Sequence, residues 1–203
     1  MANEGTLTGK RDDGITWTYT GGIFNGLCHG KGKKTIANGV VYEGDFVNGK
    51  LNGKGKITTP NNGFVIEGDF VNDILNGKGK MTNSIEGQVY EGDYINGTLN
   101  GKGKFTDANG EAYEGDFVNN IAHGKGKYTW SDGQVYEGDY LNGKRTGKGK
   151  YTLANGEVRE GNFVDGMPDG EVYASDGVGI GKILKWVAIG IGVIIILRMC
   201  VNC

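Results

Sequence analysis

The chain has 203 residues and a formal charge of −2, with 23% charged and 37% hydrophobic residues, 40 glycines, 2 prolines and 3 cysteines. Three cysteines without framework spacing exclude a disulfide scaffold and fit a reducing compartment. Lys182, Lys185 and Arg198 lie near the C-terminus and leave residues 1–181 at −5, against −2 for the whole chain, which excludes a general nucleic-acid binder.

Residues 1–18 open with the polar MANEGTLTGK, which has no apolar run of signal-peptide type. Gly5-Thr6-Leu7-Thr8 matches Gly126-Lys127-Tyr128-Thr129 further on and reads as an N-terminal half-repeat cap. Seven near-copies of one unit then fill residues 19–177, opening at Tyr19, Tyr42, Ile66, Tyr90, Tyr113, Tyr136 and Arg159, with the last shortened. A fixed period of 23 to 24 residues means an array, in which each unit relies on its neighbours for a core.

The unit Tyr113–Val135 shows the logic. Tyr113, Gly115 and Phe117 alternate with Glu114, Asp116 and Val118, the period of a strand. The polar run Asn119–Gly124 is expected to reverse the chain, and Lys125–Thr129 to form the return strand. Ser131-Asp132-Gly133 then turns into the next unit. Each repeat is therefore a β-hairpin, and glycines at fixed offsets mark turns or points where backbone or a ring must approach closely. Two units are one residue longer. Their extra residues fall in Thr59–Gly63, which holds Pro60, and in Asn83–Gly87, both expected turns.

Two ladders run through the units. Aromatic residues at the first position (Tyr42, Tyr90, Tyr113, Tyr136) and the fifth (Phe46, Phe70, Tyr94, Phe117, Tyr140, Phe163) share one face. They read as the stacked core of the array, with a ligand-stacking platform as the alternative. Acids recur at the second and fourth positions, and lysines recur along the return strands. Opposite charges on adjoining strands give a self-compensated surface, at about 0.2–1 kcal/mol per pair. The alternative is a row for phosphates, whose candidate lipid-headgroup contacts are Lys102, Lys104, Lys125 and Lys127.

His29 and His123 occupy one loop position four repeats apart and read as turn residues, not metal ligands. Cys28 takes the place of Leu51, Leu75 and Leu99 and reads as a small core residue. No Ser/His/Asp set or phosphate-loop spacing marks an enzyme, and no cofactor or metal is expected.

These residues resemble the MORN repeat (membrane occupation and recognition nexus). The match lies in Tyr113-Glu114-Gly115-Asp116-Phe117 and His123-Gly124-Lys125-Gly126, repeated from about Tyr19 to Gly177. The first unit departs from the pattern in Tyr19-Thr20-Gly21-Gly22, and the last in Arg159. The resemblance implies an all-β repeat array, an elongated single-layer antiparallel sheet of hairpins. It also implies work by binding: docking to membranes, recruiting proteins, or forming a homodimer.

Residues 178–203 differ in composition and are expected to form one C-terminal hydrophobic helix. Trp186 to Leu197 is uncharged, with Lys185 before it and Arg198 after it. Residues 183–201 would give about 28 Å of helix, close to a bilayer core. Trp186, Ile189, Ile191, Val193, Ile194, Ile195, Ile196 and Leu197 are the expected membrane anchor, a tail anchor with the repeats facing the cytosol. A helix packed on the sheet and an interfacial helix are the alternatives. Ala188 and Gly192 would permit helix pairing. Cys200 and Cys203 are candidate lipidation sites beside such a helix. Repeats followed by a membrane span resemble junctophilins in layout only. The functional expectation is a membrane-anchored, non-enzymatic scaffold or tether for protein partners. Anionic phospholipid binding and a regulatory docking subunit for an enzyme are the other readings.

Overall fold

The computed structural model describes residues 3–169. That span is all β: fifteen strands in chain order, each antiparallel to its partners, with one 3-10 turn at Pro60–Asn62. The chain gathers into two compact units that part between Thr98 and Leu99. The first contains β1 (Asn3–Lys10), β2 (Thr16–Phe24), β3 (Leu27–Ile36), β4 (Val41–Val47), β5 (Lys50–Thr59), β6 (Phe64–Val71), β7 (Ile74–Asn83) and β8 (Gln88–Ile95). The second is built from β9 (Thr98–Thr106), β10 (Ala112–Val118), β11 (Ile121–Thr129), β12 (Val135–Leu141), β13 (Lys144–Thr152), β14 (Val158–Val164) and β15 (Met167–Asp169). Among the described residues no helix is long and apolar enough to cross a membrane. The expected C-terminal helix, its anchor residues Trp186 to Leu197, and Cys200 and Cys203 lie outside the described residues.

The hairpins form, but their reversal is tighter than the run Asn119–Gly124 suggested. β10 ends at Val118 and β11 begins at Ile121, so only Asn119 and Asn120 make the turn. Both have positive φ, 51° and 66°, which the type I′ hairpin turn requires at its two central residues. Asn-Gly pairs meet the same requirement at Asn48-Gly49, Asn96-Gly97 and Asn142-Gly143. The longer loops behave as the spacing predicted. Pro60 starts the 3-10 turn, and Ser84–Gly87 is a turn.

The rest of the run is return strand that leads into a bulge. Gly115 faces Gly126, yet the next residue, Asp116, faces His123, leaving Gly124 and Lys125 as extra residues on β11. The same shift recurs at Gly138/Asp139 in β12–β13, and similar ones at Gly44/Phe46 in β4–β5 and Gly68/Phe70 in β6–β7. His29 and His123 therefore lie within bulged return strands and not in turns, because two residues suffice for the reversal.

A tyrosine closes each of three bulges. The Tyr113 ring lies over Gly126, where a Cβ would come within 2.4 Å of its hydroxyl oxygen. That hydroxyl donates to the Asp116 carbonyl at 3.0 Å and approaches the His123 carbonyl at 3.4 Å. The bulge removes these carbonyls from the regular ladder, and the phenol supplies the donor they lack. Tyr19 does the same for the carbonyls of Gly22 and His29, and Tyr136 for that of Asp139.

The core is the expected aromatic face, one layer in each unit. In the first unit Tyr19, Phe46 and Phe70 are buried beside Leu51, Ile57 and Leu75, and the Tyr19 and Phe46 rings meet edge-on at 5.1 Å. In the second, Tyr113 touches Phe117 and Tyr140 with centroids 5.0 Å apart, and Tyr136 touches Phe163 at 4.9 Å. Rings of one repeat thus stack on rings of the next, which buries apolar area that a lone hairpin would expose. Cys28 is buried at the leucine position, as expected.

Backbone bonds stitch successive repeats together. The second turn residue of one hairpin donates to the leucine-position carbonyl of the hairpin before it. Examples are Asp73 to Leu51 and Gly97 to Leu75 in the first unit, and Asn120 to Leu99 and Gly143 to Ala122 in the second. Two turn side chains complete the stitch. The Asp73 carboxylate accepts from the Leu51 amide and the Asn120 amide oxygen from the Leu99 amide, each at 2.7 Å.

Candidate functional site

The face opposite the aromatic core carries the charges, and its geometry follows from strand alternation. Glu43 and Asp45 on β4 share that face with Lys31 and Lys33 on β3, because Lys31 is paired with Asp45 and Lys33 with Glu43 in the register. The side chains close the pairs at 2.9 Å and 3.0 Å. Further along the first unit, Lys54 meets Asp69 at 2.6 Å, Lys56 meets Glu67 at 2.7 Å and Lys78 meets Asp93 at 2.6 Å. Each lysine reaches forward to the acid of the next repeat, so the ladder links neighbouring hairpins.

The fourth-position aspartate has a second task. Asp69 Oδ2 accepts from the Lys78 backbone amide at 3.2 Å, and Asp116 Oδ2 from that of Lys125 at 3.1 Å. These lysine amides belong to the bulge. One carboxylate therefore closes its own hairpin with one oxygen and pairs with the preceding repeat's ammonium through the other. The hydrogen bond from Lys54 holds Asp69 below the usual carboxylate range, and that from Lys102 does the same for Asp116. Lys56 is shifted upward by its hydrogen bond to Glu67. The buried Asp73 behaves oppositely: loss of solvent raises its pKa despite the Leu51 amide.

The four lysines singled out from the sequence all lie on this face of the second unit. Lys102 sits 2.7 Å from Asp116, Lys125 2.6 Å from Asp139 and Lys127 3.5 Å from Glu137. Lys104 faces Glu114 in register without closing an ion pair among the described residues. Lys148 faces Asn162, where earlier repeats supply an aspartate. The ammonium groups thus share one face, with most already seated on carboxylates.

Sequence reasoning passed over an aliphatic row on the same face. Position six of the unit holds Val47, Val71 and Ile95 in the first unit, 41–55% exposed, and Val118, Leu141 and Val164 in the second, 45–54% exposed. Its signal was available, since Val118 is in phase with Glu114 and Asp116 and alternates with the core residues. The row lies at the turn end of the hairpins. Beside it runs an asparagine ladder, with Asn52 donating to Asn72, Asn76 to Asn96 and Asn100 to Asn119 at 3.3–3.4 Å.

Arg145 is a further feature that the spacing did not reveal. It takes the leucine position, facing Tyr140. Its guanidinium carbon lies 5.3–5.8 Å from the ring centroids of Tyr136, Phe163 and Trp130, and its Nη2 donates to the Gly166 carbonyl at 2.6 Å. Burial lowers its pKa, and burial also pushes the Tyr136 hydroxyl up to about 12. Among the described residues no group of three His, Cys, Asp or Glu side chains is placed to hold a metal ion.

Comparison with known proteins gives one family. The MORN repeat matches seven segments, at residues 19–41, 42–64, 67–84, 90–112, 113–135, 136–158 and 160–171. No curated protein matches the chain. Among solved structures, it is similar to the SAS-4 (dCPAP) TCP domain of Drosophila melanogaster, solved with a proline-rich motif of Ana2 (dSTIL). The identity is 12% and the TM-score 0.38, over 69% of this chain and 82% of that one. With seven matched repeats covering most of its length and a hairpin for each of the first six, the chain belongs to the MORN repeat family.

Proposed function

We propose that this chain is a non-enzymatic scaffold or tether, held at a membrane by residues 183–201, whose repeats dock protein partners on the charged face. The observation that carries the reading is the composition of that face: a ladder of lysines seated on acids, bordered by an aliphatic row. A phosphate approaching such a lysine must first displace a carboxylate that is already paired. The ladder therefore favours a partner able to match alternating charges. Isolated exposed valines are ordinary, but an exposed aliphatic side chain at the same position of six of the seven repeats gives a partner apolar area to cover in each unit. The membrane part of the proposal rests on the uncharged stretch Trp186 to Leu197, with repeats on the cytosolic side and Cys200 and Cys203 available for acylation.

A second reading has an observation in its favour. Lys104 and Lys148 form no ion pair among the described residues, which leaves ammonium groups for an anionic phospholipid headgroup beside Lys102, Lys125 and Lys127. A regulatory subunit that positions an enzyme would use the same docking face.

Alkaline-carbonate extraction of the full-length protein, beside a version ending at Gly181, tests the anchor. The tether requires full-length protein in the membrane pellet and the shorter form in the supernatant; both in the supernatant would sink it. Flotation of the shorter form with phosphoinositide-containing vesicles separates the two docking readings. Protein docking expects no flotation, whereas lipid recognition expects flotation that is lost when Lys102, Lys104, Lys125 and Lys127 become Glu.

A further inference from the structure

The chain contains eleven Asn-Gly steps, and this dipeptide is chemically labile. The glycine nitrogen, with no Cβ beside it, can attack the asparagine side-chain carbonyl carbon. A bond forms from that nitrogen to Cγ, the Cγ–Nδ2 bond breaks, and the side-chain nitrogen leaves as ammonia. Water then opens the five-membered imide at either carbonyl, giving aspartate or isoaspartate. The reaction needs a glycine N–H free to lose its proton and an asparagine amide free to rotate.

The repeat architecture locks these groups almost everywhere. In the hairpin turns the Gly49 N–H donates to Cys28, that of Gly97 to Leu75 and that of Gly143 to Ala122. In the inter-repeat turns Gly39, Gly63, Gly110 and Gly156 donate to carbonyls three residues back. Asn52, Asn76 and Asn100 sit inside strands with their side-chain amides donating to the asparagine ladder. Asn96 has both locks, since its side chain accepts from Asn76.

Asn25-Gly26, the turn between β2 and β3, has neither lock among the described residues. It shares the turn geometry, with φ of 49° and 74°, but only β1 precedes it. Among the described residues β1 begins at Asn3, opposite Ile23, two positions before Asn25. A Cβ added to Gly26 would meet nothing within 4 Å. We propose that Asn25 is a site of spontaneous deamidation, converted ahead of the other hairpin-turn asparagines to aspartate and isoaspartate. The product places a carboxylate between Phe24 and Leu27, exposed at 44% and 46%. The isoaspartate form adds a methylene to the backbone, which a two-residue turn cannot absorb. The first hairpin is thereby the ageing point of the array.

The test is incubation of the full-length protein at mildly alkaline pH, followed by peptide mapping with quantification of aspartate and isoaspartate. In the folded protein Asn25 should convert about fivefold or more faster than Asn48 and Asn142, the worth of one backbone hydrogen bond. Asn96 should be slowest. The same incubation in denaturant removes the locks, and the four rates should converge. Equal rates at Asn25 and Asn48 in the folded protein would overturn the proposal. So would an Asn25 lead that persists in denaturant, because local sequence and not the fold would then set the rate.

Discussion

Replacing Gly126 by alanine tests whether the glycines exist to admit the tyrosine ring. A Cβ at Gly126 would lie 2.4 Å from the Tyr113 hydroxyl oxygen, 2.5 Å from Cε2 and 2.6 Å from Cζ. Tyr113 is fully buried, so the ring has no free space to retreat into. Overpacking of this kind costs about 3 kcal/mol, which lowers the melting temperature by roughly 6–12 °C in a chain of this size. Tyr113→Ala alone should cost about 3–5 kcal/mol as a large-to-small change. With the ring gone the new methyl group meets little, so the double variant should cost about the same as Tyr113→Ala. The two changes would then couple by about 3 kcal/mol. Gly115→Ala is the contrast: its Cβ would meet the Lys125 carbonyl oxygen at 2.5 Å and the Gly126 Cα at 2.6 Å. Backbone cannot be removed by Tyr113→Ala, so that pair should show a much smaller rescue. Urea unfolding followed by circular dichroism measures each corner of both cycles. A cost below about 1 kcal/mol for Gly126→Ala, or equal costs with and without the ring, would refute the slot.

Asn120→Gly keeps a residue that accepts the 66° φ but removes the cap on the Leu99 amide. It should destabilise by about 1 kcal/mol, with faster hydrogen exchange at Leu99. Arg145→Leu restores the leucine of other repeats while deleting the bond to the Gly166 carbonyl. Overall stability should stay within about 1 kcal/mol, while exchange near the Asp165-Gly166 turn quickens; no local change would show that the guanidinium holds nothing. The two classes of aspartate should respond to pH in opposite ways. Asp116 is depressed by Lys102, so its contribution exists above the unfolded carboxylate pKa and fades as pH falls through the lower folded value. Asp73 is raised by burial, so its contribution is complete below the unfolded value and is lost as pH rises through the folded one. Carboxyl-carbon NMR should find Asp73 titrating above, and Asp116 below, a reference of about 3.9.

The repeat itself was open to reading at the level of single residues. Alternation of Tyr113 and Phe117 against Glu114 and Asp116 assigned the two faces, because side chains in a strand alternate with a period of two. A spacing of 23 to 24 residues supplied the hairpin and its repetition. The paired acids and lysines pointed to a cross-strand ladder, and the ladder forms. The reversal is tighter than expected because Asn119, Asn120, His123 and Gly124 all suit a turn, although only the first two turn the chain. Polarity does not distinguish a turn from a bulge, whereas positive φ at Asn119 and Asn120 does.

The sequence by itself determined the strand, the faces and the period, since these follow from local alternation and from copies of one pattern. The tertiary structure alone decided which lysine pairs with which acid, because the register sets Lys102 opposite Asp116 and Lys104 opposite Glu114, and side-chain placement closes the first pair at 2.7 Å. It also decided that Tyr113 closes its own bulge, that Arg145 enters an aromatic cage, and that Gly26 has, among the described residues, no acceptor like that of its counterparts. Each of these depends on residues brought together between strands, within a hairpin or across neighbouring ones, where a difference of about an ångström separates a hydrogen bond from none.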